Sequence, residues 1–304
     1  MTDRIRLGNA VVTRILEWQF DVPTSLFPTT PPEAWLDDAD LLVPTFYDPQ
    51  TGRWRVVMQS WVIEVDGLTV VVDTGVGNDR DRPHMPILSG LSTDFLGALS
   101  RAGVNPDDVD VVVNTHLHTD HVGWNTTLVP GGGAERPGDE PDGEWVPTFP
   151  NARYFVPAAD YRFFSPDGPG ETAGARIVMA DSVFPIADQM ELWSDGQQIS
   201  ESLRLRPAAG HTPGSSVLWL DAGKPAVFVG DLTHCPIQIS RPGDPCGFDV
   251  DPAAAAVSRK RVFTEASRSR ATVIPAHYPG HGGATLVARG DRFEVDDWLD
   301  LPPV

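Results

Sequence analysis

The segment Thr115-His116-Leu117-His118-Thr119-Asp120-His121-Val122-Gly123 constrains this chain more than any other stretch. Three histidines and one aspartate fall within six positions, directly after the apolar run Val111-Val112-Val113. Neutral imidazoles and carboxylates are the ligands that a borderline cation such as zinc prefers. On an extended loop His116 and His118 point the same way and can reach one ion. Asp120 and His121 lie past the bend and can face a second. One histidine alone would read as part of a solvated polar loop; four such side chains at H-x-H-x-D-H spacing make that reading poor.

The rest of the chain offers what a two-metal site needs, each time at the end of an expected strand. His211 lies in Gly210-His211-Thr212-Pro213-Gly214, among turn-forming neighbours. Asp231 follows Phe228-Val229-Gly230, where a carboxylate could bridge two cations. His277 follows Ile274-Pro275-Ala276, and Asp73 ends Val70-Val71-Val72. Asp73 could fix a ligand's position without touching metal. His281, four residues beyond His277, is the weaker ligand candidate because His277 follows the strand directly. Each residue alone has a bland reading as a turn cap or a structural histidine; their common placement at strand ends raises the odds. His84 has no partner pattern and reads as exposed, and Cys235 and Cys246 read as structural.

Periodicity places these segments on a framework. Trp61–Val65 and Leu68–Val72 flank Asp66-Gly67, favoured chemistry for a two-residue hairpin turn. Residues 92–102 have helical spacing and Gly103 to end them. Asp110–Asn114 reads as a buried strand. Further strands are expected at Ala152–Val156, Glu191–Trp193, Leu203–Pro207, Ser216–Leu220, Ala226–Gly230 and Ala271–Ile274, with a helix over 252–268 opened by Pro252. Residues 1–50 mix aromatics with prolines and suggest an irregular arm or lid; residues 51–304 form a single domain. The Gly-, Pro- and acid-rich stretch 128–145 reads as an exposed loop insertion. The alternation suggests two sheets covered by helices on their outer faces, with the histidine loops at one end.

Composition removes several function classes. Across 304 residues, 23 Lys and Arg stand against 42 Asp and Glu, a formal charge of −19. So acidic a surface repels phosphate backbones, which argues against nucleic acid as a partner. Two cysteines cannot build a disulfide framework. No signal-peptide pattern is visible, and no run approaches the ~20 apolar residues of a membrane helix, so a cytoplasmic protein without a membrane partner is expected.

The order Asp73-Thr74-Gly75, His116–His121, Gly210–Gly214, Gly230-Asp231 and Ala276-His277 resembles the metallo-β-lactamase-fold hydrolases, over roughly residues 55–282. The resemblance implies an α/β fold, an αβ/βα four-layer sandwich of two mixed sheets with helices on the outer faces. It implies a site for two divalent metal ions, usually Zn2+, with Mn, Co or Fe as substitutes. Carried over, His116, His118 and His211 hold one metal; Asp120, His121 and His277 hold the other; Asp231 bridges them. Asp73–Asp79, Gly230–His234 and Pro275–Gly280 look like the branch of methyl parathion hydrolase and related lactonases.

That resemblance implies a metal-dependent hydrolase using a metal-bridging hydroxide on a lactone or carboxylic ester. Asp120 would orient the nucleophile and pass its proton to the leaving group, and Asp73 would accept a hydrogen bond from a ligand histidine. Related lactonases place a substrate-contacting tyrosine about where this chain has His234, which makes His234 a candidate catalytic residue. Phosphotriester (organophosphate) hydrolysis is the alternative; a thioesterase or an iron redox enzyme on the same fold are further ones. Aromatics of the arm (Trp18, Phe20, Phe27), Trp124 and the 161–186 segment (Tyr161, Phe163, Phe164, Phe184) are candidates for pocket walls or ordinary core. Together they suggest a small, neutral, partly apolar substrate. The apolar arm could also clasp a second subunit, making a homodimer.

Overall fold

The computed structural model describes residues 3–130 and 143–304. Their strands form two large sheets. In the first, Arg4–Leu7, Ala10–Pro23, Arg53–Val65, Leu68–Val72, Val111–Val113, Arg153–Pro157 and Met190–Trp193 lie in that spatial order, and Tyr47–Asp48 also pairs with Arg53–Val65. In the second, the order is Gln197–Gln198, Leu203–Pro207, Ser216–Leu220, Ala226–Gly230, Thr272–Pro275, Ala284–Arg289 and Arg292–Trp298.

The period of two along each strand decides the layering. In the first sheet Trp61, Ile63, Val70, Val72, Val111 and Val113 point inward and meet Leu218, Leu220, Phe228 and Ile274 of the second sheet. Their neighbours Val62, Val71 and Val112 point outward and pack on Phe95 and Leu99 of the helix Phe95–Arg101. In the second sheet Val217, Val227 and Val273 face outward onto Val262 and Phe263 of the helix Pro252–Ser269. Central strands are buried on both faces, which is why they read as unbroken valine runs rather than as alternation. Each buried valine contributes about 1.5–3 kcal/mol. The result is the helix–sheet–sheet–helix sandwich expected from the sequence.

Local signals act as read. Asp66 and Gly67 take φ of 53° and 76°, the left-handed pair of a type I′ turn. The Asp251 carboxylate accepts from Ala254 N–H and caps the long helix.

The first 50 residues differ from the irregular arm their prolines suggest. Ala10–Pro23 is a long strand paired along Arg53–Val65. The reason is positional: the prolines begin at Pro23, so residues 10–22 retain every backbone donor the ladder needs. Beyond it, Phe27 packs against Trp35 and Trp54, which ties residues 24–48 into the core. The expected insertion at 128–145 is flanked by paired strands, Thr126–Pro130 and Gly143–Pro147; residues 131–142 lie outside the described residues.

Candidate metal centre

Parallel strands deliver the site. Val111–Val113 lies between Leu68–Val72 and Arg153–Pro157, parallel to both, and its C-terminal end opens into the His116–His121 loop. In the second sheet Ala226–Gly230 and Thr272–Pro275 are parallel neighbours ending at Asp231 and His277. His211 sits in the connection between Leu203–Pro207 and Ser216–Leu220. All seven residues therefore meet at one edge of the sandwich.

The candidate ligand atoms fall into two groups. His116, His118, His211 and Asp231 form one, and Asp120, His121 and His277 the other, each with one candidate atom per residue all within 4.8 Å of one another. His118 Nδ1 lies 3.1 Å from His116 Nε2 and 2.9 Å from His211 Nε2. Asp120 Oδ2 lies 3.6 Å from His121 Nε2 and 3.5 Å from His277 Nε2. Asp231 joins the groups. Its Oδ2 is 3.2 Å from His211 Nε2, while its Oδ1 is 2.9 Å from His277 Nε2 and 3.2 Å from His121 Nε2.

The opposite ring nitrogens are held by the protein, which fixes which nitrogen faces the centre. His121 Nδ1 donates to Asp73 Oδ2 at 2.9 Å, His211 Nδ1 to Asp249 Oδ1 at 3.0 Å and His277 Nδ1 to the Val57 carbonyl at 2.9 Å. Asp73 sits at φ 54° and also accepts from Thr115 N–H and Thr115 Oγ1, so the start of the histidine loop is tied to the end of the first hairpin.

Three buried carboxylates that sequence reasoning missed brace these loops. Asp160 accepts from Leu117 N–H at 3.0 Å, Thr212 Oγ1 at 2.8 Å and Gly214 N–H at 2.5 Å, linking the loop of His116 and His118 to that of His211. Asp249 accepts from His211 and from Cys246 N–H. Glu17 sits where the register of Ala10–Pro23 slips between Leu16 and Trp18, a bulge that aims it inward. It accepts from Val76 N–H, Gly77 N–H and Trp124 Nε1. None lies in a histidine motif, and Glu17 shares its strand with Arg14, Gln19 and Asp21, so no local signal singles it out. Gly123 allows the loops to close: a Cβ there would fall 1.9 Å from the Val76 carbonyl carbon.

The donor set suits divalent cations. His121 Nε2, Asp231 Oδ1 and both ring nitrogens of His234 are buried without a hydrogen bond of normal geometry among the described residues. Each such orphan costs about 1–3 kcal/mol unless something engages it. Protonation reports the same crowding. Burial drives His118 down to about 3 and His116 well below the usual range, with neighbouring imidazoles adding to the effect. Burial opposes charge on His211 too, but Asp231 and Asp249 prevail and hold it up at about 9. His121 is raised by Asp231, Asp120 and Asp73 in the same way. The imidazoles of His121, His277 and His234 keep Asp231 ionised in spite of its burial.

His234 faces the same centre, with Nε2 3.2 Å from Asp231 Oδ2 and a neutral ring favoured by burial. His281 lies apart, its Nδ1 2.7 Å from the Leu301 carbonyl. Cys235 and Cys246 are free and buried, and burial pushes both thiols up to about 12.

The centre forms the floor of a cavity of about 430 Å3. Phe20, Val22, Trp54, Val56 and Met58 of the N-terminal strand pair line one side, and Phe164 and Met179 another. No lysine or arginine lines it among the described residues. Of the candidate aromatics only Phe20 and Phe164 reach it. Phe27 is in the core, Trp124 stacks on Phe95, Trp18 stacks on Phe20, Phe163 packs on Phe164, and Tyr161 packs edge-on against Phe184. His84 is exposed, as expected, yet borders the cavity mouth. No described helix is long and apolar enough to cross a membrane.

Known proteins are similar to this chain in sequence or in fold. The N-acyl homoserine lactonase AiiB of Agrobacterium fabrum is 32% identical over 94 residues, 26% of this chain and 34% of that protein, so the match spans about a third of that relative. Two solved structures superpose along nearly the whole chain. The hydrolase AbOPH of the beta-lactamase superfamily has a TM-score of 0.77 at 20% identity, covering 100% of this chain and 97% of its own. AidC, a dizinc quorum-quenching lactonase, has a TM-score of 0.74 at 17% identity, covering 98% of both. The Metallo-beta-lactamase superfamily matches residues 55–277, most of the chain and every residue of both ligand groups. The chain belongs to the Metallo-beta-lactamase superfamily.

Proposed function

We propose that this protein is a hydrolase of neutral lactones or carboxylic esters that works with two divalent metal ions, zinc in the first instance. The observation that carries the reading is Asp231. One carboxylate turns its two oxygens to two separate ligand groups at the floor of an apolar cavity. His116, His118 and His211 would hold one ion, Asp120, His121 and His277 the other, with Asp231 between them. Such ions supply Lewis acidity, lowering the pKa of a water and polarising the oxygen of the scissile group.

The side chains then divide the proton handling. Asp120, partly open to the cavity, takes the proton from the attacking water and passes it to the alkoxide as the acyl C–O bond breaks. His234, neutral and buried, presents an N–H donor toward the oxygen on which negative charge develops. Asp73, Asp249 and the Val57 carbonyl keep the ligand rings from turning. The apolar wall takes the acyl chain, and the absence of lysine and arginine from it disfavours anionic substrates.

Phosphotriester hydrolysis is the second reading, since a neutral triester also suits a wall without cationic side chains. The deciding measurement is kcat/KM of the zinc-loaded protein on an N-acyl homoserine lactone beside an aryl phosphotriester. Lactone turnover well above the triester supports the first reading, and the reverse order replaces it with the second. With lactones, kcat/KM should rise about fourfold per added methylene, from about 0.8 kcal/mol each, until the wall is filled. His116→Ala and Asp120→Ala should abolish turnover in a protein that remains folded. Full activity in either, with metal absent by elemental analysis, refutes the mechanism.

A further inference from the structure

Among the described residues, the cavity wall holds one polar side chain that neither the metal centre nor the protein's own hydrogen bonds employ. Outside the metal centre, the polar side chains lining it among the described residues are Thr119, Thr172 and His84. Thr119 Oγ1 accepts from Arg82 Nε at 2.5 Å, and Thr172 Oγ1 caps its helix by accepting from Ala175 N–H at 3.0 Å. His84 has only charged neighbours at a distance, Arg82, Asp181 and Asp81, and no hydrogen-bond partner among the described residues.

Its ring is nonetheless seated. Helix Ala173–Val178 presents Gly174 beneath it, where a Cβ would fall 2.4 Å from His84 Cγ and 2.6 Å from Nδ1. Around it the wall is apolar, including Met85, Ile87, Leu88 and Val178. Burial and the Arg82 charge lower its pKa, so near neutral pH it is an uncharged ring with one N–H donor and one lone pair.

We propose that His84 is a specificity-determining residue that hydrogen-bonds a second polar group of the substrate, such as an amide carried on the apolar chain away from the scissile carbonyl. This rests on the lactone or ester reading of the site. A substrate chain that lies over the exposed face of His84 removes its water, so a chain that pairs the imidazole is favoured over an analogue that leaves it unpaired. His84 thus selects among neutral esters and lactones rather than taking part in bond breaking.

The test compares N-octanoyl homoserine lactone with α-nonyl-γ-butyrolactone, which has the same chain length and no amide, on the zinc-loaded full chain. The readout is the ratio of their kcat/KM values. In the wild type the amide-bearing lactone is preferred. His84→Phe fills the seat on Gly174 without a polar nitrogen and lowers that ratio about 2- to 12-fold, the range of one hydrogen bond. His84→Gln, which can both donate and accept, recovers most of it. An unchanged ratio in His84→Phe overturns the proposal. If that variant is unfolded, Gly174→Ala, which pushes the ring from its seat, must lower the ratio in the same direction, and no change there overturns it equally. Turnover of neither lactone by the wild type overturns the lactone reading itself and this assignment with it.

Discussion

Asp160 is the sharpest place to perturb the centre without touching a ligand. It is fully buried and receives three donors, Leu117 N–H, Gly214 N–H and Thr212 Oγ1, from the two loops that carry His116, His118 and His211. Asp160→Asn keeps the shape but exchanges one acceptor oxygen for an NH2 group. Thr212 can turn its hydroxyl toward Ser215 Oγ, 2.8 Å away, so the unavoidable loss is one buried N–H facing another. That costs about 1–3 kcal/mol, several degrees of Tm in a chain of this length. The pH dependence separates this from a generic packing defect. Burial raises the Asp160 carboxyl from 3.8 to about 6, against the lowering effect of its hydrogen bonds. A folded acid with a raised pKa binds its proton more tightly than the unfolded chain does. The wild type therefore loses about 3 kcal/mol from this group as pH rises from about 4 to 6, and the asparagine variant does not. Metal affinity should fall about 10- to 100-fold because the two loops lose their common brace. The assays are thermal melts of the metal-free protein from pH 4 to 7, and zinc retention against a graded chelator. A variant with wild-type melting at every pH and wild-type zinc retention would refute the reasoning.

Two further outcomes follow from the same geometry. In the metal-free protein His211 is protonated at pH 7, its pKa held at about 9. Zinc must displace that proton, and affinity should strengthen from pH 7 to 9. In the metal-free fold the contribution of His211, complete below pH about 6.5, disappears as pH passes 9. Calorimetric titration in buffers of different ionisation enthalpy reads the released protons; zero release contradicts the assignment. Asp249→Asn removes the carboxylate opposite His211 Nδ1 and the nearest counter-charge of buried Arg259, 3.7 Å away. Zinc held by the His116, His118 and His211 group should bind about 10- to 100-fold more weakly in a competition assay, and equal affinity would leave Asp249 a bystander.

What the sequence made legible is what has a local signature. Valine runs, the Asp66-Gly67 turn and the capped helix at 252 announce themselves over a few residues, and the strand-end histidines inherit their placement from those runs. Glu17, Asp160 and Asp249 did not, because their meaning lies in partners 59, 54 and 38 residues away. The N-terminal strand was hidden by the prolines that follow it. The C-terminal hairpin, Ala284–Arg289 with Arg292–Trp298, turns at Gly290-Asp291 and went unforeseen although its alternation was present. The pocket aromatics separate only in three dimensions: Phe20 and Phe27 stand seven residues apart on one segment, and one lines the cavity while the other fills the core.

The long antiparallel strand pair of Ala10–Pro23 and Arg53–Val65 supplies Phe20, Val22, Trp54, Val56 and Met58 to the cavity and none of the candidate ligands. The candidate metal ligands and this part of the cavity wall thus stand on separate parts of the chain. Substitutions at these five side chains can reshape the cavity while the candidate metal ligands stay as they are. The cavity can then change its shape by small steps without the candidate metal centre being rebuilt.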